Sequence, residues 1–120
     1  MSNPIVHVEV VGEDAEALQS FYRDAFDWQM LASGPDYAMA HPGVEGGING
    51  GVGASQEGGV GHVTFYVEVG DLEAMLEKIE GLGGSRVVGP MDVPDGPRIA
   101  MFADPEGHVV GLIKAGSRRS

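Results

Sequence analysis

The stretch His7-Val-Glu-Val-Val-Gly-Glu-Asp14-Ala-Glu-Ala-Leu18 is matched 57 residues later by Thr64-Phe-Tyr-Val-Glu-Val-Gly-Asp71-Leu-Glu-Ala-Met75. In both places a β-branched run meets an aspartate, and an apolar helical stripe follows. A spacing of this length, present twice, predicts two copies of one supersecondary unit rather than a solenoid. Each aspartate stands where a short carboxylate accepts a first-turn N–H and caps a helix. One polar position differs between the copies: His7 in the first is Thr64 in the second.

Working outward, Ile5 to Val11 reads as a strand. Leu18, Phe21, Tyr22, Ala25 and Phe26 recur at helical spacing after Asp14. Trp28 to Leu31 and Tyr37 to His41 read as short strands joined by the turn Ser33-Gly34-Pro35-Asp36. Gly43 to Gly61 holds nine glycines in nineteen residues, so only Gly47 to Val52 is expected to form a short strand, and about 54–59 reads as a linker. The second copy opens with His62 to Val69. Leu72, Met75, Leu76 and Ile79 repeat the helical stripe, and Gly83-Gly84 ends it. Arg86 to Val88, Ile99 to Phe102 and Val109 to Ile113 read as strands, with Asp104-Pro-Glu-Gly107 as a turn. The order is βαβββ, twice: module one about 4–53, module two about 60–114, and a tail over 115–120 expected to be disordered.

A chain of 120 residues is expected to form one domain with a real core. Its formal charge of −11 makes nucleic acid and anionic membranes poor partners. The lack of cysteine removes disulfides, thiolate metal sites and cysteine nucleophiles. Met-Ser-Asn-Pro-Ile lacks the basic and apolar regions of a secretory leader, and no apolar run is long enough to span a bilayer, so a cytoplasmic protein is expected. The glycine-rich stretch is no phosphate loop, because no Lys-Ser/Thr follows it.

The order and its residues resemble the vicinal oxygen chelate superfamily, which contains glyoxalase I, extradiol dioxygenases and the bleomycin- and fosfomycin-resistance proteins. The matching residues are His7 fourteen before Phe21-Tyr22, then Val67-Glu-Val-Gly-Asp-Leu72, Leu82-Gly-Gly84 and Asp104-Pro-Glu-Gly-His-Val-Val-Gly-Leu112. Gly46-Gly-Ile-Asn-Gly-Gly51 and the glycine in the last strand are similar to an uncharacterised glyoxalase-like bacterial subgroup. The resemblance implies an α+β fold in which two tandem βαβββ modules form a curved mixed sheet around a cavity. It also implies, in metal-using relatives, one metal ligand from the first and last strand of each module. On this chain those places fall on His7, Thr64, Gly111 and a residue near Asn49. Threonine and asparagine are poor ligands for a catalytic divalent ion, and glycine is none. No cofactor is therefore expected, with a divalent metal kept as the alternative.

Alternation along a strand puts His7 with Glu9, and His62 with Thr64 and Tyr66. These residues and Asn49 are the candidate ligand-binding set. Two residues along a strand span ~6.6 Å, which is expected to set Glu9 and His62 on opposite sides of a ligand ring. Each residue also has a bland reading: a strand histidine as a hydrogen-bonded structural group, Tyr66 as a wall residue, and His41 and His108 as exposed at a strand end and in a turn. The leading reading is a binder of an unknown small molecule in an apolar cavity, without a family-type metal site, assembled as a homodimer. The alternatives are a metal-dependent lyase, isomerase or dioxygenase with non-standard ligands, and a partner-binding module without catalysis.

Overall fold

The structure, a computed structural model, describes residues 2–34, 36–55, 61–94 and 96–117. Ten elements follow one another: β1 (Ile5–Gly12), α1 (Ala15–Phe26), β2 (Gln29–Ala32), β3 (Tyr37–His41), β4 (Gly50–Ala54), β5 (His62–Val69), α2 (Leu72–Gly81), β6 (Ser85–Asp92), β7 (Arg98–Ala103) and β8 (Val109–Lys114). This is the α+β order βαβββ, repeated. Two compact units divide the chain: Val6–Thr64, and Phe65 onward together with the residues up to Ile5. The first three residues of β5 thus group with the first unit, whereas the expected modules parted ahead of that strand.

In the first unit the strand order is β2-β3-β4-β1. β1 runs parallel to β4, and β3 runs antiparallel to β2 and β4. Asp14 caps α1, its side chain accepting from Ala17 N at 3.0 Å, a bond that contributes about 1 kcal/mol. The helix stops at Asp27, which takes the left-handed conformation at φ 60° and sends its N–H back to Arg23 O. α1 lies on β4, where Gln19 Nε2 donates to Val52 O at 2.9 Å. Beneath it the sheet buries small side chains, Ala38, Ala40 and Val52. Small residues leave little depth for the helix to sink into. Accordingly no α1 residue is fully buried, and Phe21 and Phe26 are 62% and 58% exposed. The aromatic rings pack on one another instead: Tyr22 stacks on Trp28 at 5.7 Å and Phe26 on Trp28 at 5.2 Å.

The second unit repeats the order, β6-β7-β8-β5, with β5 parallel to β8 and β7 antiparallel to its neighbours. Asp71 caps α2 as Asp14 caps α1, accepting from Ala74 N at 3.0 Å. Here the stripe is buried: Leu72 and Leu76 pack with Val69, Ala100 and Leu112, flanked by Met75, Ile79 and Phe102. The helix ends where the N–H groups of Gly83 and Gly84 turn back to Glu80 O and Ile79 O, with Gly83 at φ 103°, a conformation that costs glycine least.

Two strands and the tail differ from the expected bounds by more than a residue. β4 lies at Gly50–Ala54 rather than Gly47–Val52, because its pairing partners, not its glycine-rich composition, place it. β6 runs past Val88 to Asp92, with pairing irregularities around Gly89-Pro90; a proline lacks the ladder N–H and is accommodated at such irregularities. Of the tail expected to be disordered, residues 115–117 are held: Ala115 N donates to Val69 O at 2.8 Å and the Ser117 hydroxyl to Lys114 O at 2.6 Å. Residues 118–120, Pro35 in the first turn, residues 56–59 of the linker and residue 60 at the start of module two lie outside the described residues. Among the described residues no helix is long and apolar enough to cross a membrane.

The Asp104–Gly107 turn forms as read, Gly107 N donating to Asp104 O at 2.9 Å. The Asp104 carboxylate accepts from the N–H groups of Glu106 and His108, each at 2.9 Å. The His108 backbone bond, then that residue's side chain and the Glu106 N–H, hold this carboxyl below its ordinary 3.8. A depressed folded value means that the carboxylate's stabilising contribution is present above the ordinary value and is lost as pH falls through the folded one. An NMR titration of Asp104 is expected to give a midpoint below 3.8, and Asp104→Asn to remove that part of the acid dependence of unfolding.

Candidate functional site

The first unit brings three of the candidate residues together through a residue the sequence reading passed over, Tyr37. Its hydroxyl donates to Glu9 Oε1 at 3.1 Å. A phenol has one proton, so the same oxygen accepts from the Nε2–H of His7, 3.0 Å away. The second Glu9 oxygen receives His62 Nε2 at 3.1 Å. A hydrogen-bonded chain therefore runs His7–Tyr37–Glu9–His62. Glu9 is its inner member, with a side chain 13% exposed, against 41% for His62. The expectation that Glu9 and His62 stand apart is overturned. His62 opens β5, and its ring reaches sideways to the carboxylate, a reach that counting residues along one strand does not capture.

Space for this chain comes from β4. Tyr37 pairs with Gly53 across the sheet, and Glu9 pairs with Gly51. A Cβ at Gly51 would overlap the Tyr37 hydroxyl, and one at Gly53 would strike the Tyr37 ring. The ring lies over bare backbone. The second unit does the same with other residues: Tyr66 pairs with Gly111, and a Cβ there would overlap the Tyr66 ring.

This pairing moves one expectation. Glu9 and Tyr66 are equivalent in the repeat, and their partners are Gly51 and Gly111. The last-strand position of module one is therefore Gly51, not Asn49. Asn49 lies before β4, exposed, and its backbone carbonyl accepts from Val8 N. Thr64 is buried at 6% exposure and Tyr66 at 8%. His41 ends β3 half-buried rather than exposed, opposite Gln29, while His108 is exposed on its turn beside Asp104.

A family-type metal does not fit these residues. The four places are His7, Gly51, Thr64 and Gly111. Two lack side chains and have tyrosines over them, and the Nε2 of His7 carries the proton it gives Tyr37. Among the described residues no group of three or more His, Asp or Glu could hold a metal ion. Two open hollows are present among the described residues. One, of about 460 Å³, is lined by Gly70, Asp71, Leu72, Glu73, Pro90, Arg98 and Lys114; the other, of about 400 Å³, by Asp14, Glu16, Ala17 and Ser20. Both lie at helix N-termini.

The repeated order, the paired caps and the sheet pairing define a class, and the chain belongs to it: the Glyoxalase/Bleomycin resistance protein/Dioxygenase superfamily, whose family model matches residues 4–112. It is similar to the anthracycline biosynthesis protein DauV of Streptomyces sp. (strain C5), 35% identical over 66 residues, covering 55% of this chain and 24% of DauV. The chain thus spans about a quarter of that relative's length. Among solved structures it is similar to methylmalonyl-CoA epimerase from Mycobacterium tuberculosis, with TM-score 0.70 and 18% identity over 92% of this chain and 86% of that one. A Streptomyces coelicolor methylmalonyl-CoA epimerase in complex with 2-nitronate-propionyl-CoA gives TM-score 0.70 and 16% identity, covering 100% and 99%. At these identities the likeness is one of fold.

If the bare backbone seats Tyr37, Gly51→Ala is expected to expel its ring, break the bonds to His7 and Glu9, and cost about 1–3 kcal/mol by overpacking. Denaturant unfolding reads the loss, and the Tyr37 ring resonances read the displacement. An unchanged Tyr37 spectrum in the variant would contradict the arrangement.

Proposed function

We propose that this chain binds a small organic molecule at the His7–Tyr37–Glu9–His62 cluster and does so without a family-type metal ion. The observation that carries the reading is the continuous hydrogen-bonded chain with a nearly buried carboxylate at its centre. Such a chain fixes the direction of every proton and presents a set of donors and acceptors already in place. His7, Glu9 and His62 are the polar anchors, and Tyr37 holds them in register. Structural neighbours in complex with CoA esters show what this fold can accommodate.

The test is a fragment screen read by two-dimensional NMR, with and without chelator. Hits are expected to move the resonances of Tyr37, Gly51 and His62, to survive chelation, and to weaken about tenfold or more on Tyr37→Phe, which keeps the ring and removes the bridge. Stoichiometric binding of Zn²⁺ or Ni²⁺, abolished by His7→Ala, would instead favour a metal-dependent enzyme with non-standard ligands.

We also propose a homodimer. Two-fold pairing is the commonest soluble assembly, and Phe21, Phe26 and Leu31 leave large apolar side chains exposed to water in the single chain. Sedimentation equilibrium is expected to return twice the mass of the 12.5 kDa chain; a monomer mass at micromolar concentration would refute this.

A further inference from the structure

Two histidines of the chain are paired with carboxylates, in different surroundings. His108 Nδ1 meets Asp104 on a turn, where the side chains are 72% and 36% exposed, and the same carboxylate takes two backbone N–H groups. His62 Nε2 meets Glu9 Oε2 at 3.1 Å, with side chains 41% and 13% exposed. Attraction between imidazole and carboxylate is stronger where less water surrounds it. His62 is also held from behind. A Cβ on Gly61 would lie 2.7 Å from Val11 O and 3.3 Å from Gly12 Cα, so the backbone leading into His62 is laid against the end of β1.

The proton positions follow from what each group can donate. A carboxylate only accepts, so Nε2 of His62 carries the hydrogen and Nδ1 of the neutral ring carries the lone pair. Among the described residues His62 makes no hydrogen bond or ion pair other than that to Glu9. The Nε2–H of His7 is directed to Tyr37, and the Tyr37 O–H and the His62 Nε2–H are both directed to Glu9. The cluster thus turns these three protons inward and presents one basic lone pair, at His62 Nδ1, on a partly exposed ring.

We propose that His62 is a general base and that the site promotes an elimination. Nδ1 takes a proton from a carbon of the bound molecule. The C–H electron pair becomes a new π bond, and a leaving group on the neighbouring atom departs with its bonding pair as a stabilised anion. Glu9 balances the imidazolium so formed, and its proton then passes to water, which restores the base. Glu9 is a positioning residue in this scheme. The role of His62 rests on the cluster being a binding site and names its reaction class. A stepwise route through an enolate is disfavoured, because the three inward protons are already engaged and none of them is left for an oxyanion. The charge of the unit itself acts in the same direction. Val6–Thr64 holds one basic residue, Arg23, against nine aspartates and glutamates, a field that favours releasing an anion over holding one.

The probe is 5-nitrobenzisoxazole. Loss of its ring C–H proton opens the N–O bond and releases a coloured cyanophenolate, so a base acting on it is read by absorbance. The intact chain is expected to exceed the second-order rate constant of free imidazole by about 100-fold or more. His62→Gly should remove that excess and added imidazole should restore part of it, a rescue that a structural role would not show; His62→Gln serves where the glycine variant does not fold. Glu9→Gln should lower kcat about tenfold with KM unchanged, and His108→Gln should leave the rate as it was. Binding is followed separately with 5-nitrobenzoxazole, which lacks the N–O bond, through the resonances of Tyr37, Gly51 and His62. Shifts with that isostere, but turnover no faster than imidazole or unaffected by loss of His62, would overturn the base assignment and leave the binding site standing. Neither shifts nor turnover would remove both.

Discussion

The candidate site depends on the absence of side chains on one strand. Gly51 and Gly53 leave the surface of β4 bare, and the Tyr37 ring fills the vacancy. With the ring seated there, its hydroxyl has one place to be, between His7 and Glu9. That position fixes the Nε2 proton of His7 and turns one Glu9 oxygen toward Tyr37 and the other toward His62. Steric allowance comes first in this order, and hydrogen bonding follows from it. The same device is present in the second unit, where Tyr66 covers Gly111.

Much of the fold was legible because it rests on local rules. Asp14 and Asp71 announce their helices by side-chain chemistry, and both caps form with the same bond length. β3 and β5 fall where alternation puts them. The misplaced elements are those whose position is set by partners: β4, whose glycines carry no strand signal, and the far half of β6 beyond Gly89-Pro90. The site was legible in part. His7, Glu9 and His62 were marked by residue type and alternation, but Tyr37 was read only as the start of a strand. Nothing local links Tyr37 to His7, thirty residues earlier; the link exists because β3 and β1 both pair with β4. One signal was available: a tyrosine on a strand predicted to neighbour a glycine-rich one is a candidate to lie over it.

The two units show how one plan tolerates different interiors. α2 buries two leucines into a core of its own, while α1 rides on alanines and leaves its aromatic rings to stack with one another. The acidic excess is concentrated in the second of these cases. The unit with the shallower helix packing is also the one with the polar cluster and the larger charge. Like-charge repulsion destabilises a compact state, so the first unit combines less buried apolar surface with more self-repulsion. Local opening is drawn from regions with few buried apolar contacts, and it is the first unit that has them.

The tyrosine over Gly111 also bears on descent. A side chain at 111 and the Tyr66 ring compete for one volume. Any Cβ at 111 calls for a smaller residue at 66, and shrinking Tyr66 alone would leave a hole over a buried strand. The two positions are therefore expected to change together rather than singly, in either direction.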